Sequence, residues 1–272
     1  MDDRAIGVFD SGLGGLTAAK VIEELLPSES IVYFGDSGRM PYGGRSVEDL
    51  RRIAVQNAAF VGSFGVKAMV VACGSMSAWA MDALRAAYPD TPFFSVEAAA
   101  CDAVVAATCN RRVGVIATEA SIRNRMFELG IRRRDPSIEV LPQACPSLAA
   151  IVEQGHFRPG DAVAEEAVRS ELAPFVGSGI DTLLLGCTHY PLLSDIIRGF
   201  LGEEVRQISC GAETARSLAA YLQEHDMLAS RTGEGERLWY TSGDTALFES
   251  GAGAFLGHSI QARQHMWSEE ER

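Results

Sequence analysis

Thr182-Leu183-Leu184-Leu185-Gly186-Cys187-Thr188-His189-Tyr190-Pro191 sets the reading of this chain. An apolar run of strand length ends at a cysteine. Small and polar residues follow, and Pro191 leads into an amphipathic segment over 192–201. That is the pattern of a buried parallel strand, a tight turn and a helix start. The Cys187 thiol is then expected where the strand ends and the helix dipole begins. A helix N-terminus lowers a thiol pKa and offers N–H donors to an anion.

A second stretch has the same shape. Ala68-Met69-Val70-Val71-Ala72-Cys73-Gly74-Ser75-Met76-Ser77 is an apolar strand, a cysteine and small residues, with a helical pattern from Ala78. One strand-end cysteine is ordinary packing. Two in matching contexts suggest one site approached from two sides.

The whole chain limits the alternatives. Its 272 residues allow one large domain or two of ordinary size. With 47% hydrophobic and 22% charged residues it has the core material of a soluble globular protein. The formal net charge of -12 argues against nucleic acid as a partner, since phosphate binding needs a basic face. A small anion needs only a local cluster of donors. Met1-Asp2-Asp3-Arg4 lacks the regions of a signal peptide, and no apolar run reaches membrane-spanning length. The expected location is the cytoplasm, with the six cysteines reduced and no membrane partner. No Cys-x-x-Cys pair occurs, so no structural metal is expected.

Read from the start, a strand over 5–9 breaks at Asp10-Ser11-Gly12-Leu13-Gly14-Gly15, and a helix follows over 16–26. A second strand over 31–34 ends at Gly35-Asp36. A glycine turn and a later acid invite a dinucleotide reading, but Thr17 stands where the third glycine belongs. The turn can instead hold a carboxylate, with Asp10 and Ser11 facing the ligand, or simply permit a tight bend. Arg39-Met40-Pro41-Tyr42-Gly43-Gly44-Arg45 is a stiff loop, Ser46 an N-cap, and 47–64 a long helix. After a strand over 93–96 the pattern restarts. A strand over 112–117 ends at Thr118, a helix runs to Gly130, and further helices are expected over 146–153 and 161–176. Asp10 and Thr118 lie 108 residues apart, Cys73 and Cys187 114 apart, a rough internal repeat. The fold class expected is α/β, two similar doubly wound parallel-sheet lobes facing a central cleft. Residues 1–96 plus 211–272 form the first lobe and 97–210 the second. A strand over 238–241 and a helix over 245–256 return to the first. Ligands in such sheets bind beyond the carboxyl ends of the strands, where both cysteines fall.

Two thiols, each near a carboxylate or histidine, suit two-base proton transfer without a cofactor. One thiolate removes an α-proton and the other thiol delivers one to the opposite face. Asp10 and His189 are the candidates to tune them. Two other readings stand beside this one. One is covalent thiol catalysis by Cys187 with His189, although residues two apart on a turn seldom give that geometry. The other is a binding protein with no reaction.

Four segments carry a resemblance. Phe9-Asp10-Ser11-Gly12-Leu13-Gly14-Gly15-Leu16-Thr17, Tyr33-Phe34-Gly35-Asp36, Pro41-Tyr42-Gly43 and Leu185-Gly186-Cys187-Thr188-His189-Tyr190-Pro191-Leu192 resemble, in order, those of bacterial glutamate racemases in the aspartate/glutamate racemase superfamily. The resemblance covers about residues 5–225. It implies cofactor-free interconversion of L- and D-glutamate, supplying D-glutamate for peptidoglycan. By matching position, Cys73 and Cys187 are the implied acid/base pair, Cys73 acting on the D enantiomer and Cys187 on the L. Asp10 would assist the first, and His189 and Glu153 the second. Asp10, Ser11, Pro41, Tyr42, Gly43, Gly74, Ser75, Thr118, Cys187 and Thr188 are the implied substrate contacts. Glu153 also reads as a solvated helix-end carboxylate, and Thr118 with Ser121 as ordinary helix capping. An aspartate racemase or a non-catalytic amino-acid-binding relative are the alternatives within the resemblance. The sequence leaves the oligomeric state open and admits a homodimer.

The chain departs from the family pattern at three places. The usual Cys-Asn-Thr is Cys73-Gly74-Ser75. Glu97-Ala98-Ala99-Ala100 replaces a proline-glycine turn, and Ser121 replaces a threonine. Loss of the asparagine removes a side-chain donor and acceptor from the expected substrate contacts.

Overall fold

The structure, a computed structural model, describes residues 1–42 and 45–268. Gly43, an implied substrate contact, Gly44 and residues 269–272 lie outside the described residues. The chain splits into two compact units, Met1–Ser95 with Thr214–Arg272, and Val96–Glu213.

The first unit opens with β1 (Ile6–Asp10), α1 (Leu16–Leu25), β2 (Ile31–Gly35), a 3-10 turn at Ser37–Arg39 and α2 (Val47–Gly62). It continues through β3 (Ala68–Val71), α3 (Gly74–Trp79), α4 (Met81–Ala87) and β4 (Phe93–Ser95). The second unit holds α5 (Ala98–Ala107), β5 (Arg112–Ala117), α6 (Glu119–Arg123), α7 (Met126–Arg134), β6 (Glu139–Ala144), α8 (Pro146–Glu153) and α9 (Ala162–Leu172). After a 3-10 turn at Ala173–Phe175 come β7 (Thr182–Leu185), another 3-10 turn at Tyr190–Leu193, α10 (Ser194–Leu201) and β8 (Arg206–Ser209). Along α11 (Cys210–Glu224) the chain re-enters the first unit, which closes with β9 (Arg237–Thr241), α12 (Thr245–Leu256) and β10 (Ala262–Gln264).

Both sheets are parallel and carry helices, the α/β class expected. The first has strand order β10-β9-β2-β1-β3-β4, the second β6-β5-β7-β8. Central strands read as unbroken apolar runs because helices cover both faces. β1, β2, β3 and β7 are buried throughout. Helix starts follow local chemistry. The Ser46 side chain accepts from Asp49 N–H, Asp161 accepts from Val163 and Ala164, and Asp244 accepts from Leu247.

Several boundaries differ from the sequence reading. The helix after Cys73 begins at Gly74, four residues before Ala78, and breaks at Ala80. The helix expected to run to Gly130 is two. Arg125 takes a left-handed conformation (φ 59°), and the Asn124 side chain caps the restart by accepting from Met126 N–H at 2.7 Å. The helix expected over 161–176 stops at Leu172, ahead of Pro174 in a 3-10 turn. β10 had no counterpart in the reading.

Among the described residues no helix is long and apolar enough to cross a membrane.

Candidate active site

In the first unit, strand register decides which side chains meet. Phe9 pairs with Val71, and Ala72 N–H donates to the Phe9 carbonyl at 3.0 Å. Asp10 and Cys73 therefore leave neighbouring strands side by side, at their carboxyl ends. The Asp10 carboxylate is buried and accepts from Gly15 N–H at 2.5 Å, closing the glycine turn. Tyr33 braces that turn by donating to the Gly12 carbonyl at 2.7 Å. Gly15 is obligatory there, since a Cβ would lie 2.7 Å from Asp10 Cβ and 2.9 Å from Ala72 Cβ.

Cys73 is the N-cap residue of α3, and its thiol is buried. The Ser11 side chain and the N–H groups of Met76 and Ser75 hydrogen-bond the sulfur. These favour the thiolate, but burial and the charge of Asp10 outweigh them and push the thiol well above its ordinary range. A helix start does not by itself lower this thiol. The donors are present, but a carboxylate shares the pocket.

The other expected contacts of this unit vary in their surroundings. Ser75 is buried in the first turn of α3 and Gly74 is half-buried. The Ser77 hydroxyl donates to the Val71 carbonyl at 3.1 Å. Pro41 is exposed and follows a cis peptide bond. Tyr42 is buried, its hydroxyl donating to Asp36 and accepting from Asn57 at 3.4 Å. Asp36, directly after the end of β2, is a fully buried hub joined by Arg39, Tyr42, Ser242 and Trp267.

In the second unit, β7 pairs with β5 through Ile116 and Leu185, and Gly186 N–H donates to the Ile116 carbonyl at 2.8 Å. Gly186 has no room for a side chain: a Cβ would meet Phe127 at 2.6 Å and the Ile116 carbonyl oxygen at 2.9 Å. Cys187 and Thr118 thus emerge from adjacent strands. The Cys187 sulfur lies 3.5 Å from Nδ1 of His189, and Nε2 of His189 lies 2.9 Å from Glu153 Oε1. Sulfur, imidazole and carboxylate form one chain of hydrogen bonds. Cys187 and His189 are buried, while the Glu153 side chain is 29% exposed. Burial works against a charged imidazole, yet the bonds to Cys187 and Glu153 prevail and push His189 up to about 10. The ring is therefore an imidazolium near neutrality.

Cys187 does not sit at an α-helix start. A 3-10 turn containing Pro191 intervenes, and α10 begins at Ser194. A neighbouring cation takes the place expected for a helix dipole. Thr188 is buried beside it. Thr118 caps α6, accepting from Ser121 N–H at 3.5 Å and lying 3.1 Å from its hydroxyl. Glu153 ends α8, and its carboxylate is bonded rather than merely solvated.

Sequence reasoning missed what aims this relay. Tyr190, fully buried, donates to the Cys145 carbonyl at 2.8 Å, tying the turn after Cys187 to the start of α8. Glu171 on α9 accepts from both Ser147 N–H and hydroxyl, at 3.0 and 2.6 Å, and caps α8 from outside. Tyr190-Pro191 and Pro146 were the available signals. Among the described residues, no group of three or more His, Cys, Asp or Glu side chains is placed to hold a metal ion.

Comparison with known proteins shows the family. The sequence model of the family described as Asp/Glu/Hydantoin racemase matches residues 15–218. "Glutamate racemase 2" of Caldanaerobacter subterraneus subsp. tengcongensis is 37% identical over 96% of both chains. Among solved structures, glutamate racemase isoform RacE1 of Bacillus anthracis superposes with a TM-score of 0.91 at 38% identity, covering 97% of this chain and 98% of that one. The glutamate racemase of Francisella tularensis, solved with D-glutamate, gives 0.89 at 33% identity over 98% of each.

Proposed function

Because the chain belongs to the Asp/Glu/Hydantoin racemase family, we propose that it interconverts L- and D-glutamate by two-base proton transfer, with Cys73 and Cys187 as the bases. The observation that carries this reading is the pair of strand-end thiols, one beside Asp10 and Ser11, the other on the His189–Glu153 relay. In the L-to-D direction a Cys187 thiolate takes the α-proton. The Cys73 thiol then gives its proton to the opposite face of the carbanion, leaving D-glutamate, a Cys187 thiol and a Cys73 thiolate. The reverse direction runs the same steps backwards. The His189 imidazolium lies against the Cys187 sulfur, and Glu153 keeps that ring oriented. Asp10 lies beside the other sulfur, where its charge favours the protonated thiol.

Ser11, Pro41, Tyr42, Gly43, Gly74, Ser75, Thr118 and Thr188 are the proposed substrate contacts. Tyr42 would act through its backbone or ring face, because its hydroxyl proton is committed to Asp36. The hydroxyl and amide donors at the strand ends suit a carboxylate ligand. The chemistry calls for no cofactor. In this reading the protein is a cytoplasmic enzyme supplying D-glutamate for peptidoglycan, acting alone or as a homodimer.

The test is a circular dichroism assay on purified protein with L-glutamate, L-aspartate and L-alanine, with and without EDTA. Loss of optical rotation with glutamate alone is the expected result. Turnover of aspartate in preference to glutamate would move the assignment to a sister racemase, and no turnover of any would favour a binding role.

A further inference from the structure

Trp267 lies near the C-terminus, far along the sequence from every proposed site residue, yet it is buried in the core that contains Tyr42 and Cys73. Its indole N–H donates to Asp36 Oδ1 at 3.0 Å. The Arg39 guanidinium lies over its ring, 4.0 Å from the centroid. Its ring also meets Phe34 and His265 edge-on, with centroids 5.7 and 4.5 Å apart.

These contacts converge on the segment that carries Pro41 and Tyr42. The Asp36 carboxylate accepts from Arg39 Nε at 2.8 Å, from the Tyr42 hydroxyl, from Ser242 Oγ at 2.6 Å and from Trp267. Arg39 spreads its remaining donors to Gln56 at 2.6 Å and Asn57 at 2.8 Å on α2, and its carbonyl accepts from Arg45 at 2.7 Å. The loop is thus clamped to α2, to the end of β9 and to the C-terminal segment. Trp267 touches both partners of the buried Asp36–Arg39 pair, on the pair's edge through the N–H and on its face through the ring.

We propose that Trp267 is a positioning residue: it latches the C-terminal segment onto Asp36 and Arg39, and so sets the geometry of the Pro41–Tyr42 loop for substrate. This rests on the glutamate racemase reading for the role of the loop, though not for the latch itself. A buried carboxylate loses one of its donors when the N–H is removed, and the segment it organises loosens. The predicted signature is a substrate-binding defect, because the thiols and the His189–Glu153 relay are untouched.

Two variants and two readouts test it. Trp267→Phe keeps a ring over Arg39 and removes the N–H. Trp267→Ala removes both. KM for glutamate should rise about three- to tenfold in Trp267→Phe and further in Trp267→Ala, with kcat changing less than KM. A merely structural residue would instead lower the active fraction at constant KM. Hydrogen exchange at the amides of Arg39, Met40, Tyr42 and Arg45 should quicken at least threefold in Trp267→Phe, while α1 stays unchanged. That second readout needs no turnover. Wild-type protein inactive with glutamate would therefore end the functional reading and leave the latch to be decided by exchange. Unchanged exchange at those amides, or an unchanged KM in an active Trp267→Phe, would overturn the latch.

Discussion

The Cys73 and Cys187 halves share one plan, a sulfur at the carboxyl end of a buried parallel strand, and differ in the charge placed beside it. Cys73 has an anion as neighbour: the Asp10 carboxylate adds to burial and holds the sulfur as a thiol. Cys187 has a cation: His189, lifted to about 10 by its two hydrogen-bond partners, stays charged through neutrality. Backbone geometry reinforces the contrast. Cys73 caps an α-helix, whereas Cys187 precedes a 3-10 turn. Racemisation needs one acid and one base at a time. A symmetric pair of surroundings would leave that division to chance. In the proposed mechanism opposite neighbours tell the two sulfurs apart, an anion beside Cys73 and a cation beside Cys187.

The largest effect expected is from removing either sulfur. Cys73→Ala and Cys187→Ala should each lower racemisation by at least about 10²–10⁴-fold, the weight of a positioned acid or base. A Cys187→Ala protein with wild-type rotation of glutamate would end the two-base reading. Next in size is the relay. His189→Asn should lower kcat by about 10²-fold, and Glu153→Gln, which keeps a hydrogen bond, by about tenfold. Equal losses from the two substitutions would mean that the carboxylate does more than orient the ring. L- and D-glutamate have equal free energies, so kcat/KM must stay the same in both directions in every variant. Only its partition between kcat and KM can become lopsided.

Acidity offers a sharper separation. Asp10→Asn removes the charge that helps raise the Cys73 thiol, so the alkaline limb of kcat/KM should move to lower pH than in the wild type. A limb that stays in place would show that burial alone sets that thiol. His189 gives a stability signature. Its folded pKa of about 10 exceeds an unfolded value of about 6.5, so its contribution is complete below the lower value and is lost as pH rises through the upper. Urea midpoints measured from pH 6 to 10.5 should fall across that window and flatten in His189→Asn.

The smallest effect belongs to Gly74. Its side-chain contact is absent, while Ser75 and Met76 N–H groups still serve the sulfur. Gly74→Asn should change kcat/KM for glutamate by less than about tenfold if the site is built around glycine. Glutamate turnover that appears only in Gly74→Asn would mean that the wild-type site is built for another ligand.

The legible features were those written in continuous apolar runs. Leu183-Leu184-Leu185 and Met69-Val70-Val71 could only be buried strands, and their cysteines had to lie at the strand ends. The Ser46 cap and the span of α8, opened by Pro146, followed from local chemistry. Position along the helices was harder. The helical pattern after Cys73 reads from Ala78, but the first turn of a helix tolerates small residues such as Gly74 and Ser75, whose N–H groups a neighbour can use. Arg125 gave no warning of a left-handed bend, and the signal lay one residue earlier, in Asn124. β10 was invisible because Ala262-Arg263-Gln264 is a polar edge strand held by one partner. The His189–Glu153 bond spans 36 residues and Asp36–Trp267 spans 231, so neither leaves a periodic trace.

The strand order β10-β9-β2-β1-β3-β4 also governs synthesis. The first sheet starts with β1 but takes in β9 and β10 after the whole second unit has been made. On the ribosome, β2 waits with an open edge while Val96–Glu213 emerges, and the second unit can complete its own four strands first. Residues translated after that unit supply β9, β10 and Trp267. A nascent chain stalled before Arg237 would expose the apolar edge of β2 to pairing with other chains, which makes β9 and β10 the strands whose late arrival a cell must guard.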